Sequence, residues 1–235
     1  MKLFCLPYAG GGALAFRQMK ARMPAHITVV PVCLPGRDQR FSEPLIDDMA
    51  VLVRHLAQQY LADNDAPFAI YGHSMGSLIG FELIRYLVRE NMPLPVHFFA
   101  AARGAPALTG EYERFSEFDD ERFITRIKAF GGISDQVIAS PELMEIVMPI
   151  LRNDFRLLDN YHYFQGTLLP VPITSFHGEQ DHTVRSEWVR AWQYETAVSA
   201  QHFSVPGNHF FLADAASPMF NRVADILSVS VTAVA

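Results

Sequence analysis

One short segment constrains the fold of this chain more than any other. The pentapeptide Gly72–Gly76, GHSMG, follows the apolar run 68–71 and precedes a helical pattern over 77–89. A serine in so tight a turn has a strained backbone, and small flanking residues avoid a clash with it. The pattern therefore predicts a strand, a sharp turn and a helix, with the Ser74 hydroxyl presented as a nucleophile beside the helix N-terminus.

Strand and helix patterns alternate along most of the 235 residues. Strands are predicted at 2–6, 27–33, 68–71, 96–101, 173–177 and 201–205, and helices at 14–23, 46–62, 75–89, 186–196 and 218–230. Such alternation is typical of a mostly parallel central sheet with flanking helices. We expect an α/β fold formed by a single domain over residues 1–235.

The stretch 105–166 breaks this alternation, because it shows helical patterns at 119–129, 141–151 and 153–161 and no strand pattern. It lies between two predicted strands, so it predicts a helical insertion over one edge of the sheet. Its many apolar side chains suit a small satellite core and equally a lid over an acyl-binding chamber. They include Phe115, Phe118, Phe123, Phe130, Met144, Met148, Phe155 and Phe164.

Charge and composition argue against several classes of function. The net charge of −6 argues against general nucleic-acid binding. Two basic groups, Arg17 with Lys20 and Arg22, and Arg37 with Arg40, are interpreted as solvated faces. Pro7 and three glycines interrupt the apolar N-terminus, and no apolar run approaches the length of a membrane span. We expect a cytoplasmic monomer that binds no membrane, with Cys5 and Cys33 as buried free thiols and no metal site.

A general base and an orienting acid are expected after the nucleophile, in loops that follow late strands. Asp181 comes shortly after strand 173–177 and before a helix, which makes it the candidate acid. Glu179 is its competitor but lies closer to the strand end. His209 follows the last predicted strand and precedes an apolar segment that can anchor the loop, so it is the candidate base.

An oxyanion hole completes this chemistry and needs two backbone N–H groups. The amide of Met75, directly after the nucleophile, is one candidate. The glycine-rich loop 7–12 after the first strand supplies the other, with Ala9 as the predicted donor. The same loop also fits a dinucleotide-binding pattern, GGGALA, although no acidic residue ends the second strand to hold a ribose.

With these residues placed, the chain resembles the type II thioesterases, the stand-alone editing enzymes of nonribosomal peptide and polyketide synthesis. Five segments carry the resemblance, in family order: 4–12 (FCLPYAGGG), 34–37 (LPGR), 72–76 (GHSMG), 148–155 (MPILRNDF) and 206–211 (PGNHFF). Medium-chain acyl thioesterases of fatty-acid synthesis look similar. Asn153, where the family more often has alanine, and the loose segment 101–104 (AARG) depart from the family pattern.

The resemblance implies an α/β-hydrolase fold with a mobile helical lid, and a triad of Ser74, Asp181 and His209 with the oxyanion hole at Ala9 and Met75. It implies hydrolysis of acyl thioesters on the phosphopantetheine arm of an acyl- or peptidyl-carrier protein, with no cofactor. Three alternatives stay open: an oxygen-ester hydrolase or acyltransferase with the same triad, a medium-chain fatty acyl thioesterase, and a non-enzymatic scaffold.

Overall fold

A six-stranded parallel sheet forms the centre of the protein. The computed structural model describes residues 1–129 and 131–232, so the predicted lid residue Phe130 lies outside the described residues. The strands run in the spatial order β2-β1-β3-β4-β5-β6, and every neighbouring pair is parallel. They are β1 (Lys2–Leu6), β2 (Thr28–Pro31), β3 (Phe68–His73), β4 (Phe98–Ala101), β5 (Ile173–Gly178) and β6 (Ala200–Val205).

Helices connect these strands and contain the remaining regular structure. They are α1 (Arg17–Arg22), α2 (Met49–Tyr60), α3 (Met75–Arg89), α4 (Asp120–Ala129), α5 (Asp135–Ile138), α6 (Pro141–Asp159), α7 (Ser186–Arg190) and α8 (Met219–Thr232). All six predicted strands are present. The second predicted helix begins at Met49 instead of residue 46, because the Asp48 carboxylate accepts a hydrogen bond from the Val51 amide and caps the helix there. None of the helices in the described part of the chain is long and apolar enough to cross a membrane.

The side chains of each strand alternate between two hydrophobic cores, one on each face of the sheet. Phe4 and Ile70 belong to the core that α2, α3 and α6 cover. Cys5 and Tyr71, the next residues along the same strands, belong to the core beneath α1 and α8. Burial on both faces is the reason that these strands are almost continuously apolar. Cys5 is a buried free thiol as predicted, whereas the free thiol of Cys33 is only half-buried.

The stretch between β4 and β5 is helical, as predicted, but its two last helices are one. The pattern predicted a break near Arg152, whereas α6 runs without interruption from Pro141 to Asp159. Ser140 caps its start, and Pro149 lies inside it. Pro149 removes one backbone hydrogen bond, but burial of the following turns, from Ile150 to Leu158, stabilises the continuous helix.

The glycines on both sides of Ser74 allow β3 and α3 to approach each other and β1. A Cβ atom on Gly72 would overlap the Gly76 carbonyl, and a Cβ on Gly76 would overlap the Leu6 carbonyl of β1. Ser74 itself has φ 54° and ψ −115°, a backbone conformation that residues with a side chain rarely adopt. The elbow geometry that the sequence predicted is therefore present.

We expect the substitution Gly76→Ala to lower the free energy of unfolding by about 3 kcal/mol, because its methyl group would meet fixed backbone atoms of Leu6 and Pro7. Urea unfolding followed by circular dichroism measures the loss. Gly166→Ala is the matched control, since its Cβ would meet mainly the flexible end of Arg85, and we expect it to unfold close to the unsubstituted protein. Equal stability of the two variants would contradict this account of the elbow.

Candidate active site

Ser74 lies at the carboxyl edge of the sheet, where β3 ends and α3 begins. Its strained backbone is held by a hydrogen bond from its own amide to the Ala101 carbonyl, at 2.7 Å. The hydroxyl of Ser77, one turn into α3, lies 2.9 Å from the carbonyl oxygens of both Gly72 and Ala101 and accepts from the Ala101 amide at 3.0 Å. These contacts join the elbow to the neighbouring strand β4, so the Ser74 side chain is positioned by the rigid part of the fold.

The structure brings Ser74, His209 and Asp181 together in one hydrogen-bonded chain. His209 Nε2 lies 3.0 Å from Ser74 Oγ, and His209 Nδ1 lies 2.8 Å from Asp181 Oδ2. A carboxylate oxygen can only accept, so Nδ1 carries the proton and the lone pair of Nε2 accepts from the serine hydroxyl. Glu179, the competing acid of the sequence analysis, makes no such contact with His209 among the described residues.

The environment of Asp181 favours its ionised form. Burial alone would raise its pKa, but the hydrogen bond and charge of His209 and two hydrogen bonds from Thr183 together lower it below the usual value. Thr183 donates to Asp181 Oδ1 through its backbone amide at 2.8 Å and through its hydroxyl at 2.6 Å. Thr183 was not predicted as a site residue, although a threonine two residues after an aspartate in a turn is a recognisable signal.

The two predicted oxyanion donors both border this site. Met75 is the first residue of α3, where amides have no partner within the helix, and Ala9 lies in the loop after β1. No acceptor among the described residues engages either of the two amides. Ala9 and Ser74 line the same cavity.

A buried ion pair holds the glycine loop 7–12 in place. Arg37 donates to both carboxylate oxygens of Asp154 on α6, at 2.6 and 2.7 Å, and to the Gly11 carbonyl at 3.2 Å. Asp154 Oδ2 also accepts from the Gly10 amide at 2.8 Å. The loop that contains Ala9 is thus fixed from both sides by charge-assisted hydrogen bonds.

This arrangement shows that the interpretation of Arg37 and Arg40 as a solvated basic face is wrong. Arg37 is 4 % exposed and Arg40 is 7 % exposed. Arg40 is paired with Glu43 and donates to the Cys33 carbonyl at 3.0 Å. Composition could not reveal the burial of these two arginines, because it does not show which carboxylate each one meets. The partner of Arg40 is 3 residues away in the chain, and the partner of Arg37 is 117 residues away.

The same loop does not suit a dinucleotide. A pyrophosphate would occupy the amides at the start of the helical turn that follows the glycines. In this structure Asp38 accepts a hydrogen bond from the Ala13 amide there, at 2.7 Å, and its carboxylate occupies the space beside Gly12. A carboxylate in this position would repel a phosphate. Nor do the described residues include a group of three or more metal-ligating side chains that could hold an ion.

His73, inside the elbow, is a second residue whose role the sequence analysis missed. It is fully buried, and its Nε2 donates to the backbone carbonyl of His209 at 2.7 Å, while its Nδ1 accepts from the Tyr71 hydroxyl at 3.1 Å. Burial is the main cause that lowers the pKa of His73 to about 3, and the adjacent His209 imidazole lowers it further. The ring is therefore neutral and holds the loop of His209 against β3.

A cavity of about 560 Å³ opens beside Ser74 and His209. The segment 105–166 forms much of its wall, through side chains such as Tyr112, Ile127 and Leu158. Phe115 and Phe155 stack on each other at 4.6 Å between ring centres and also line this cavity. The apolar side chains of the segment therefore build a satellite core and a chamber wall at once, whereas Phe164 is exposed.

The chain is similar to known proteins over nearly its whole length. The profile of the thioesterase domain family matches residues 1–228. The gramicidin S biosynthesis protein GrsT of Aneurinibacillus migulanus is 36 % identical over 212 residues, which cover 90 % of this chain and 83 % of GrsT.

Two solved structures are also similar. RedJ, the thioesterase of the prodiginine pathway of Streptomyces coelicolor, superposes with a TM-score of 0.86 at 32 % identity, covering 98 % of this chain and 90 % of RedJ. BorB, the type II thioesterase of the borrelidin cluster, gives 0.82 at 27 %, covering 95 % and 89 %.

These similarities confirm the predicted α/β-hydrolase fold of the thioesterases. The chain belongs to the thioesterase domain family and is a hydrolase that acts on thioester bonds. The predicted resemblance to the type II thioesterases of nonribosomal peptide and polyketide pathways is confirmed as well.

We expect Asp154→Asn to lower the free energy of unfolding by about 3–5 kcal/mol, because it leaves the buried Arg37 guanidinium without its counter-charge. Thioester hydrolysis should fall too, since the glycine loop loses part of its support. Urea unfolding and steady-state kinetics measure the two effects. Asp47→Asn is the control: Asp47 pairs with Arg156 at 3.4 Å on the surface, so about 1 kcal/mol or less is expected. A similar small loss for both variants would contradict the proposed role of the Arg37–Asp154 ion pair in holding the glycine loop.

The buried neutral ring of His73 should make stability depend on pH. Its folded pKa of about 3 lies below the unfolded value of about 6.5, so unfolding takes up a proton between these values. The stabilisation is complete above about pH 6.5 and falls as the pH drops, by up to about 1.4 kcal/mol per pH unit. We expect His73→Gln to reduce the pH slope of the unfolding free energy between pH 4 and 6 by about one proton.

Urea titrations at several pH values give this slope. His97 and His202, whose pKa values burial lowers to about 4, should keep their contributions in the variant. An unchanged slope in His73→Gln would show that the ring is not the proton acceptor.

Proposed function

We propose that Ser74 attacks the thioester carbonyl of the substrate, with His209 as general base and Asp181 as the acid that orients it. The hydrogen-bonded chain from Ser74 Oγ through His209 to Asp181 is the observation that carries this proposal. Imidazole takes the serine proton during attack, and the ionised Asp181 stabilises the imidazolium that forms. The imidazolium then protonates the departing thiolate, and a water molecule releases the acid from the acyl-enzyme by the same steps.

The amides of Ala9 and Met75 are proposed to bind the oxyanion of each tetrahedral intermediate. Met75 lies at the N-terminus of α3, where the helix dipole is positive. The hydrogen bond from the Gly10 amide to Asp154 fixes the loop of Ala9 before the substrate arrives. Such preorganised donors stabilise charge that appears only in the transition state, so they raise the rate of the chemical step.

The substrate class proposed is an acyl thioester on the phosphopantetheine arm of an acyl- or peptidyl-carrier protein, which meets the enzyme in the cytoplasm. The chamber beside Ser74 has room for an acyl group and an open side for the arm. GrsT and RedJ, by their names, belong to biosynthetic pathways, and BorB is a type II thioesterase. We infer that hydrolysis removes stalled or incorrect acyl groups from a synthase, and that the segment 105–166 acts as a lid which opens to admit the arm.

Ser74→Ala should abolish release of acyl groups from a loaded carrier protein, with a loss of at least about 10³-fold in kcat. Intact-mass measurement of the carrier follows deacylation directly. Ser42→Ala, an exposed serine in a turn, is the matched control and should keep full activity. A serine-directed phosphonate should label the unsubstituted protein and not Ser74→Ala. Turnover that persists in Ser74→Ala would exclude the proposed nucleophile.

The role of the carrier is tested separately from the chemistry. The same acyl group is offered on a carrier protein, on free phosphopantetheine and as a matched oxygen ester of pantetheine. A higher kcat/KM on the carrier protein is expected, and the oxygen ester should be the poorest substrate. Equal rates on the carrier and on free phosphopantetheine would contradict the carrier as partner, while leaving the triad assignment unaffected.

A further inference from the structure

Arg103 is a buried cation in the wall of the chamber that contains Ser74. It follows β4 by two residues, just beyond Ala102, whose φ is 54°. Ala101, at the end of β4, accepts the hydrogen bond from the Ser74 amide. Arg103 is only 6 % exposed, and it lines the same cavity as Ser74 and His209. Its side chain therefore borders the same chamber as the reacting groups and lies largely away from bulk water.

The surroundings fix Arg103 without neutralising it. Its carbonyl accepts from Trp192 Nε1 at 2.8 Å, and the next amide, of Gly104, donates to the Tyr112 hydroxyl at 3.0 Å. The guanidinium packs over the Tyr112 ring, 4.0 Å from its centre. Among the described side chains and backbone groups, which leave out the side chains of residues 109–111, no carboxylate or carbonyl accepts a hydrogen bond from this guanidinium, and its Nε is buried without a partner.

Three other charged groups around this cavity have an ion-pair or hydrogen-bond partner. Arg126 pairs with Glu113 at 2.6 Å, and Arg114 pairs with Glu117 at 2.9 Å. Asp159 accepts a hydrogen bond from the Ser116 amide at 2.6 Å. Burying a cation without a counter-ion is costly, because water no longer solvates it. A guanidinium is planar and can donate paired hydrogen bonds to a planar anion such as a carboxylate.

We propose that Arg103 is an acyl-recognition residue that binds a carboxylate at the far end of the acyl group. The inference rests on the proposed function and names its substrate class: half-thioesters of short dicarboxylic acids. The phosphate of the arm is a second source of the same anionic chemistry. It is separated from the thioester by the whole pantetheine chain, whereas Arg103 is two residues from the strand end that holds Ser74. The position of Arg103 therefore favours a carboxylate of the acyl group, and not the phosphate of the arm, as the anion that it binds.

The test compares succinyl-pantetheine with 4-methylpentanoyl-pantetheine, in which an isopropyl group replaces the carboxylate. Neither substrate contains a phosphate. We expect kcat/KM to favour the succinyl thioester, and Arg103→Met to reduce this preference at least about tenfold. Arg103→Lys should keep part of the preference, because it keeps the charge but loses the paired hydrogen bonds. Arg114→Met, which removes a more exposed and already paired cation from the same cavity, is the matched control and should leave the preference unchanged.

Two further measurements make each outcome decisive. Arg103→Met that still hydrolyses the 4-methylpentanoyl thioester is folded and active, so its lost preference is specific. Binding of succinyl-pantetheine to Ser74→Ala, with and without Arg103→Met, gives the same comparison without turnover. No preference in the unsubstituted protein, with normal Ser74-dependent hydrolysis of both thioesters, overturns this inference alone. Absence of Ser74-dependent hydrolysis of either thioester overturns the proposed function itself.

The arm is tested with 4-methylpentanoyl-phosphopantetheine. If the added phosphate raises kcat/KM and Arg103→Met removes that gain, the anion bound by Arg103 belongs to the arm, and the proposed acyl specificity is wrong. If the phosphate effect is the same in both proteins, the arm does not use Arg103, and the acyl carboxylate remains its ligand.

Discussion

The buried ion pair between Arg37 and Asp154 is the contact on which the geometry of the active site depends. It joins three parts of the chain: the loop after β2, helix α6, and, through the Gly10 amide and Gly11 carbonyl, the loop after β1. Both charges are almost completely shielded from water, so each depends on the other and on these backbone groups for its stabilisation. The Asp154 carboxylate therefore connects the segment 105–166, which lines the chamber, to the loop that contains Ala9.

A second set of contacts joins the two ends of the catalytic chain. Ser74 and His209 are 135 residues apart, and His73 holds the backbone of His209 beside the elbow. The strain at Ser74 is compensated by hydrogen bonds to β4 and by glycines that let three backbone segments approach closely. Positioning thus comes from buried, neutral or paired groups around the site, while the guanidinium of Arg103 packs on the Tyr112 ring and meets no carboxylate among the described side chains.

Much of the fold could be predicted because the signals are local. Hydrophobic periodicity indicated all six strands, and the elbow required glycines at two particular positions. Asp181 and His209 were found from chain order and from their places after strands. The predictions that were wrong concern Arg37 and Arg40, which were interpreted as solvated, and the break in α6. For Arg37 the deciding contact is with Asp154, 117 residues away, and for α6 it is the burial of a whole helix face. Arg40 pairs with the nearby Glu43, and only the tertiary structure shows that it is buried.

The sequence by itself determined the strand–turn–helix elbow, the parallel sheet and the residue types available for catalysis, because steric limits at glycine and the period of apolar residues act within a few residues. Only the tertiary structure decided which charges are neutralised. Asp154 meets Arg37, Thr183 donates hydrogen bonds to Asp181, and Arg103 meets no carboxylate among the described side chains. The energy of a charge depends on what surrounds it in space. The environment of each charged side chain is set by the packing of segments that are far apart in the chain, and a local sequence pattern does not contain this information.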